Sequence, residues 1–560
     1  ETAFVFIIFW GVIVMKKTVG MAAVCLLVAS SALAQSPIPT FDKEAVTPHP
    51  YNRTGQQDVI SGDETTSGEF RPGNTGTKDA PAFYVKSIKL TGFELPDKVG
   101  RLQEILNKYQ KRSVKVAELN NLTAEITAYA KECGYTVAQA VVPPQEVAGG
   151  SLEIKVYVAN YDKINITQND SDIATSVLNN YLSGLKPGST ITDSKLEDAI
   201  NNINDLPGVQ ARAVLKPGGE PGTTSLDVQA TRRPVWNNYV FTDNGGGYWS
   251  GRYRYGFNTE INNPGKIGDK FILNGMLSSH DVKNYGIRYE LPIGSRGTRM
   301  GVAYSQSSYE LSTNSFYDTL GKSKGISLYG MTPVYRDRSN RITAIYGYDH
   351  RDIEDELRFS VNELGRMKTE KDADVVHIGI SGSQYNVNQF TQYSLIYWYG
   401  DINTKKMDAY YDGGYHKLTG DLLNVWYDGD WNYRIKASGQ MASRALDGSE
   451  QFYLGGINGV RAYGASDGYG DLGYLATAEI RRATGIEGLE AAVFIDSGAV
   501  KNKYDGTMDH LAGWGVGLRY AKPGDWYAQL DYARKIDARP DRIERDDHDG
   551  RLWFQLYKMF

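Results

Sequence analysis

The residue types that do chemistry are present in this chain, but never in a working arrangement. Its seven histidines (His49, His280, His350, His377, His416, His510 and His548) form no HExxH pair and no other metal-ligand spacing. No GxSxG elbow exists to carry a nucleophilic serine. Gly321-Lys322-Ser323 has the end of a phosphate-cradling loop, yet Phe316 stands where that loop requires its first glycine. Asp467–Asp471 opens like a calcium loop and departs from it at Tyr469 and Leu472. The acidic and basic run Asp537–Asp549 could hold an ion, but a solvated loop explains it as well. Cys133 reads as a small buried hydrophobe. No catalytic residue, metal site or cofactor site is assigned, so any function must rest on binding and movement.

The elements that position these residues are read from composition and order. Sixty-one basic residues against 66 acidic ones give a net charge of −5, which removes the broad electrostatic case for nucleic acid. Mean hydropathy is −0.43. After the first few dozen residues no run of ~18 apolar residues appears, so no helix there can span a bilayer. Sixty Gly and 39 Tyr, against 17 Phe and 9 Trp, leave a soluble β-rich protein or a transmembrane barrel.

Met15-Lys16-Lys17, an apolar stretch Val19–Val28 and Ala32-Leu33-Ala34 describe a secretory signal peptide cut after Ala34. Residues 1–14 do not fit it and read as upstream translation, with a membrane anchor as the competing reading. Cys25 leaves with that peptide, so Cys133 has no partner for an internal disulfide. Residues 35–81 are rich in Pro, Gly, Thr, Asp and Gln and read as a linker.

Residues 82–159 then follow a β-α-α-β-β order. Val85, Ile88, Leu90 and Phe93 open it, with a first helix near Lys98–Tyr109. Leu119, Leu122, Ile126 and Tyr129 recur at helical spacing before Gly134, and Val137–Val142 and Leu152–Val158 supply two strands. Residues 160–233 repeat the order, with helices over Ile173–Leu182 and Ser194–Ile203, the second capped by Thr192 or Asp193.

Residues 234–560 hold only short strands, sixteen by count, each with about ten alternating residues. In Arg252–Ile261 the residues Tyr253, Tyr255, Phe257 and Ile261 share one face, with Arg252, Arg254, Asn258 and Glu260 on the other. Tight connections (Gly294–Gly297, Asp337–Asn340, Tyr385–Asn388, Gly429–Asn432, Pro523–Asp525) alternate with long polar stretches at 351–373, 401–416, 442–471 and 536–550. An apolar outer face opposite charge is the inverse of a soluble sheet. It predicts a closed sixteen-stranded antiparallel outer-membrane barrel, its Tyr in the interfacial girdles.

Local strings carry a family resemblance. Gly134-Tyr135, Val142–Gln145 (VPPQ), Leu152–Val156 and Leu206-Pro207-Gly208 look like points of two POTRA modules. Gly455-Gly456 followed by Val460-Arg461-Ala462-Tyr463-Gly464 looks like a VRGY loop tip, and Phe494, Asp496 and Gly498 like an F-x-D-x-G strand. Together they resemble the TpsB family, the two-partner secretion transporters related to the barrel-assembly protein BamA. The resemblance implies that the loop folds into the barrel, that Arg461 pairs with Asp496, and that an N-terminal helix plugs the lumen. Two departures stand out. Ala462 replaces a glycine, and Pro37, Pro39, Pro48 and Pro50 leave only Phe41–Thr47 for a plug helix.

The expected protein is thus a monomeric outer-membrane transporter in contact with lipid, with periplasmic POTRA modules. Its partner would be a TpsA-type exoprotein: an adhesin, a haemolysin or a CdiA-type toxin of contact-dependent inhibition. A BamA-like insertase is the alternative, and a passive porin would leave 82–233 without a purpose. Alternation alone places the Arg461 loop between barrel strands eleven and twelve, with Phe494, Asp496 and Gly498 facing the lumen.

Overall fold

The structure is a computed structural model that describes residues 60–62 and 82–560, except 249, 312–316, 338, 360–365, 407–411, 466 and 537–548. The expected signal peptide, residues 1–14, the segment Phe41–Thr47 and most of the Asp537–Asp549 run lie outside the described residues. Two compact units result, one holding the two small modules and one the barrel.

In the small-module unit β1 (Ile60–Gly62) precedes β2 (Phe83–Val85), β3 (Ser87–Gly92), α1 (Arg101–Asn107), β4 (Arg112–Val114), α2 (Val116–Glu132), β5 (Ala138–Val141) and β6 (Ser151–Val158). β6 lies between β3, which runs parallel to it, and antiparallel β5, while β2 and β4 pair separately. Leu122 and Ile126 of α2 are fully buried on Leu152, Ile154 and Val156, so helical and strand periodicities meet in one core. Gly134 ends α2 at φ 94°, its N–H bonding to Lys131 O at 2.9 Å and that of Tyr135 to Ala130 O at 3.1 Å. This Schellman arrangement is why a glycine follows Cys133. Gln145 of the VPPQ string bonds both the N–H and the C=O of Glu153, at 2.8 and 2.7 Å, and so continues the ladder with a side chain.

The second module has β7 (Asn160–Asn169), α3 (Thr175–Leu182), α4 (Asp193–Asn204), β8 (Val209–Pro217) and β9 (Thr223–Arg232). Its sheet order is β1-β8-β9-β7. Two sequence readings change here. Thr192 occupies the N-cap position of α4 without making a side-chain cap bond. Residues 60–62, expected within the linker, form the parallel strand beside β8.

The barrel closes sixteen antiparallel strands. They are β10 (Trp236–Asp243), β11 (Arg254–Asn262), β12 (Lys270–Ser278), β13 (Lys283–Ile293), β14 (Thr298–Leu311), β15 (Tyr317–Arg336), β16 (Asn340–Phe359), β17 (Arg366–Asn386), β18 (Gln389–Lys406), β19 (Gly413–Asp428) and β20 (Trp431–Ala442). A loop hairpin, β21 (Phe452–Tyr453) with β22 (Tyr469–Gly470), precedes β23 (Leu472–Ala483), β24 (Leu489–Lys501), β25 (Met508–Lys522), β26 (Trp526–Lys535) and β27 (Gly550–Met559). β10 joins β27 from Tyr239↔Met559 to Asp243↔Gln555. No described helix is long and apolar enough to cross a membrane.

Alternation holds around the wall. Tyr255, Phe257, Val493, Ile495, Trp514, Val516 and Leu518 face outward, while Arg254, Phe494, Asp496 and Arg519 are buried inside. Stretches 351–373 and 401–416, expected as loops, are largely strand: the ladder continues through Arg351↔Ala373 and Asp401↔Gly414. Twenty residues at about 3.3 Å each far exceed a lipid belt of about 25 Å. Beyond that belt the outer face needs no apolar residues, so Ile326 and Leu328 give way to exposed Lys322 and Lys324 and the alternation fades. Nor do all tyrosines face lipid. Tyr329 and Tyr415 lie inside, their rings over Gly301 and Gly400, where a Cβ would come within 2.4 and 2.2 Å. The glycine excess thus makes room for rings in the lumen. Gly321 of the phosphate-loop-like string is such a position, under Tyr309 in β15.

Candidate functional site

Residues 443–471 join β20 to β23, the eleventh and twelfth barrel strands, and fold into the lumen wall. The tip Val460–Gly464 packs on Phe494 and Val500 of β24, Leu511 of β25 and Ala533 of β26. Arg461 is only 5 % exposed. Its Nε donates to Asp496 Oδ2 and its Nη2 to Oδ1, both at 2.9 Å, a bidentate fork. Nη1 donates to Glu479 Oε2 at 3.0 Å and to Asp531 Oδ2 at 3.1 Å. The guanidinium carbon lies 3.2 Å from the Phe494 ring centroid, and Trp553 Nε1 donates to Arg461 O at 2.6 Å.

Counter-charges complete the cluster. Arg519 donates to Asp531 at 2.5 Å and to Glu479 at 3.1 Å, and Arg481 to Glu479 at 2.5 Å. Arg434, on the neighbouring strand opposite Glu479, is buried beside it, so Arg434, Arg461, Arg481 and Arg519 oppose Asp496, Glu479 and Asp531. Removing one member of such a buried set leaves an uncompensated charge, typically ~3–5 kcal/mol.

The structure brings all eight residues singled out in the sequence together. Tyr463 and Val460 are buried in the tip, Gly464 N donates to Asp467 Oδ2 at 3.0 Å, and Gly498 lies under Leu454. Ala462 keeps a negative φ, so the tip needs no glycine there. Its methyl instead meets Gly513, where any Cβ would fall 2.5 Å from that of Ala462. Glu479, Arg481, Arg519, Asp531 and Trp553 were not singled out. Their signal was present: charge at inward positions between outward Ile480, Leu518, Leu530 and Tyr532.

The root of the loop is also tied. Glu450 is buried between Arg351, with which it pairs, and Lys417 at 2.6 Å, while Asp447 accepts from Lys371 at 2.6 Å. Burial pushes the Glu450 carboxyl up, but Arg351 and Lys417 outweigh it and hold the group at about 2. A depressed pKa means that this tie is fully present above about pH 4.5 and is lost as pH falls through about 2. Glu450→Gln removes the charge at neutral pH and is expected to raise protease cleavage within 443–471 by about tenfold or more, since breaking a buried pair costs ~3–5 kcal/mol. Asp471, of the calcium-like string, accepts from the N–H groups of Leu446 and Lys503 at 2.8 and 2.6 Å. Among the described residues no three His, Cys, Asp or Glu gather as metal ligands.

The profile of the haemolysin secretion/activation proteins ShlB/FhaC/HecB matches residues 222–520, and that of the ShlB-type POTRA domain matches 83–158. The chain belongs to this family. It is 26 % identical to the heme/hemopexin transporter protein HuxB of Haemophilus influenzae (strain 86-028NP), over 91 % of this chain and 94 % of that protein. With the outer membrane transporter CdiB of Dickeya dadantii (strain 3937) it shares 21 % over 63 % of this chain and 64 % of the other. The solved structure of CdiB from Escherichia coli has the same fold, with a TM-score of 0.68 at 18 % identity, over 88 % of this chain and 93 % of that one. BamA from Haemophilus ducreyi lacking POTRA domains 1–3 matches with a TM-score of 0.53 at 15 % identity, over 85 % of this chain and all of that one. This ShlB-type protein is an outer-membrane transporter of two-partner secretion, with POTRA modules on the periplasmic side, and its partner is a secreted exoprotein.

Proposed function

We propose that this protein captures one unfolded exoprotein at its POTRA modules and passes it through the barrel, with the 443–471 loop as the gate. The buried tie of Arg461 to Asp496, Glu479 and Asp531 carries this reading, because a water-exposed pair worth ~0–1 kcal/mol could not govern loop position. Transport draws on cargo binding and on folding outside. The named relatives are a heme/hemopexin and a CdiB transporter in a family of haemolysin secretion proteins, and the cargo is proposed as an exoprotein of adhesin, haemolysin or contact-dependent toxin type. The protein acts as a monomer in lipid and performs no catalysis.

Capture uses β-augmentation. Among the described residues β3 pairs on one side, with β6, and β7 on one side, with β9. The outer side of β8 holds β1, and Ala140 N–H of β5 bonds Thr127 Oγ1 at 2.9 Å, which favours β3 as the receiving edge of the first module. Lys89→Pro, in the middle of β3, is expected to weaken partner capture about tenfold, the worth of one or two backbone hydrogen bonds at about 1 kcal/mol each. Pull-down of the exoprotein's secretion domain on the full-length protein reads it out, with circular dichroism as the control for folding.

The reading as a whole is tested by culture supernatants of cells with and without this gene. A large exoprotein present with the gene and missing without it supports transport. Unchanged supernatants with depleted outer-membrane barrels would instead favour a BamA-like insertase.

A further inference from the structure

Arg461 is seated as a ligand is seated. Every side chain that receives its guanidinium belongs to the wall: Glu479 on β23, Phe494 and Asp496 on β24, and Asp531 on β26. These groups are held in place without the loop. Arg481 and Arg519 fix Glu479, Arg519 and Gln529 fix Asp531, and Thr477 Oγ1 donates to Asp496 at 2.9 Å. The β23–β26 ladder fixes their spacing.

Withdrawal of the tip would leave Glu479 with Arg434, Arg481 and Arg519 and Asp531 with Arg519, but Asp496 without an arginine. The deficit centres on Asp496, which is fully buried and would keep only the Thr477 bond. We propose that the vacated seat is a guanidinium-binding site for the arginine side chains of the polypeptide in transit, which replace Arg461 one after another. The proposal rests on the gating reading above. Its ligand chemistry follows from shape: a bidentate carboxylate, two further acceptors in reach of the same nitrogen and an aromatic face 3.2 Å from the central carbon suit a planar fork. A compact ammonium fills such a site poorly. An arginine of the cargo in this seat keeps Arg461 out, so the gate stays open while cargo is present and closes when the last arginine has passed.

Chemical rescue of the full-length protein tests the site. Arg461→Ala is purified in detergent, and its thermal unfolding midpoint is measured in 20 mM guanidinium chloride and in 20 mM tetramethylammonium chloride. A ligand that binds only the folded state raises the midpoint. Guanidinium is expected to raise it by several degrees over tetramethylammonium, with no such difference in the native protein, whose seat is filled, or in Arg461→Ala/Asp496→Asn. Equal midpoints in the two salts for Arg461→Ala, or the same gain in the double variant, would overturn the proposal. Should Arg461→Ala fail to assemble, Arg461→Gln, which keeps a side chain at the tip, serves with the same criteria. Secretion by these variants is scored separately and bears only on gating, so failure of one reading is distinguishable from failure of the other.

Discussion

Arg461→Ala is expected to remove the partner exoprotein from the culture supernatant while the barrel still assembles in the outer membrane. Arg461 is the one charged side chain of the tip and meets Asp496, Glu479 and Asp531 at 2.9 to 3.1 Å. Losing ~3–5 kcal/mol there changes the occupancy of the seated loop by a factor on the order of 10²–10³. The sixteen strands keep their own ladder, so a heat-modifiable barrel should persist. Arg461→Lys keeps the charge and loses the fork, and is expected to fall between the two. Supernatant and outer-membrane fractions read both quantities, and normal export by Arg461→Ala would end the gating reading.

Gly513→Ala is expected to have a comparable effect by sterics alone. A Cβ at 513 would stand 2.5 Å from that of Ala462 and 3.1 Å from Arg534 O. The wall cannot yield without breaking β25 from β26, so the tip must lift. Because the first clash is with the Ala462 methyl, Ala462→Gly in the same chain should restore most of the secretion. An unaffected Gly513→Ala, or a double variant no better than the single, would show that the tip does not sit against β25.

What was legible in the sequence follows one physical rule. Lipid outside and water within force alternation, so the strand count, the position of the loop and the inward direction of Phe494 and Asp496 could be read directly. Where lipid ends the rule ends, which is why the outer halves of β16 and β17 looked like loops. The counter-ions were hidden for another reason. Glu479 and Asp531 come from strands 52 residues apart, and only barrel closure brings both to one nitrogen of Arg461. The partner of β8 was equally hidden, since three residues of a Pro- and Gly-rich stretch carry no periodicity of their own.

The central claim, that the tip leaves its seat during transport, has a direct measurement. Val460 is fully buried in the tip, and Cys133 is the sole free cysteine among the described residues. A Cys133→Ser/Val460→Cys protein is labelled on intact cells with a membrane-impermeant maleimide, idle and with an exoprotein stalled in transit. Labelling at residue 460 is expected to rise at least about tenfold with cargo in the barrel, as a buried site becomes open to water. Equal labelling in the two states would contradict the account.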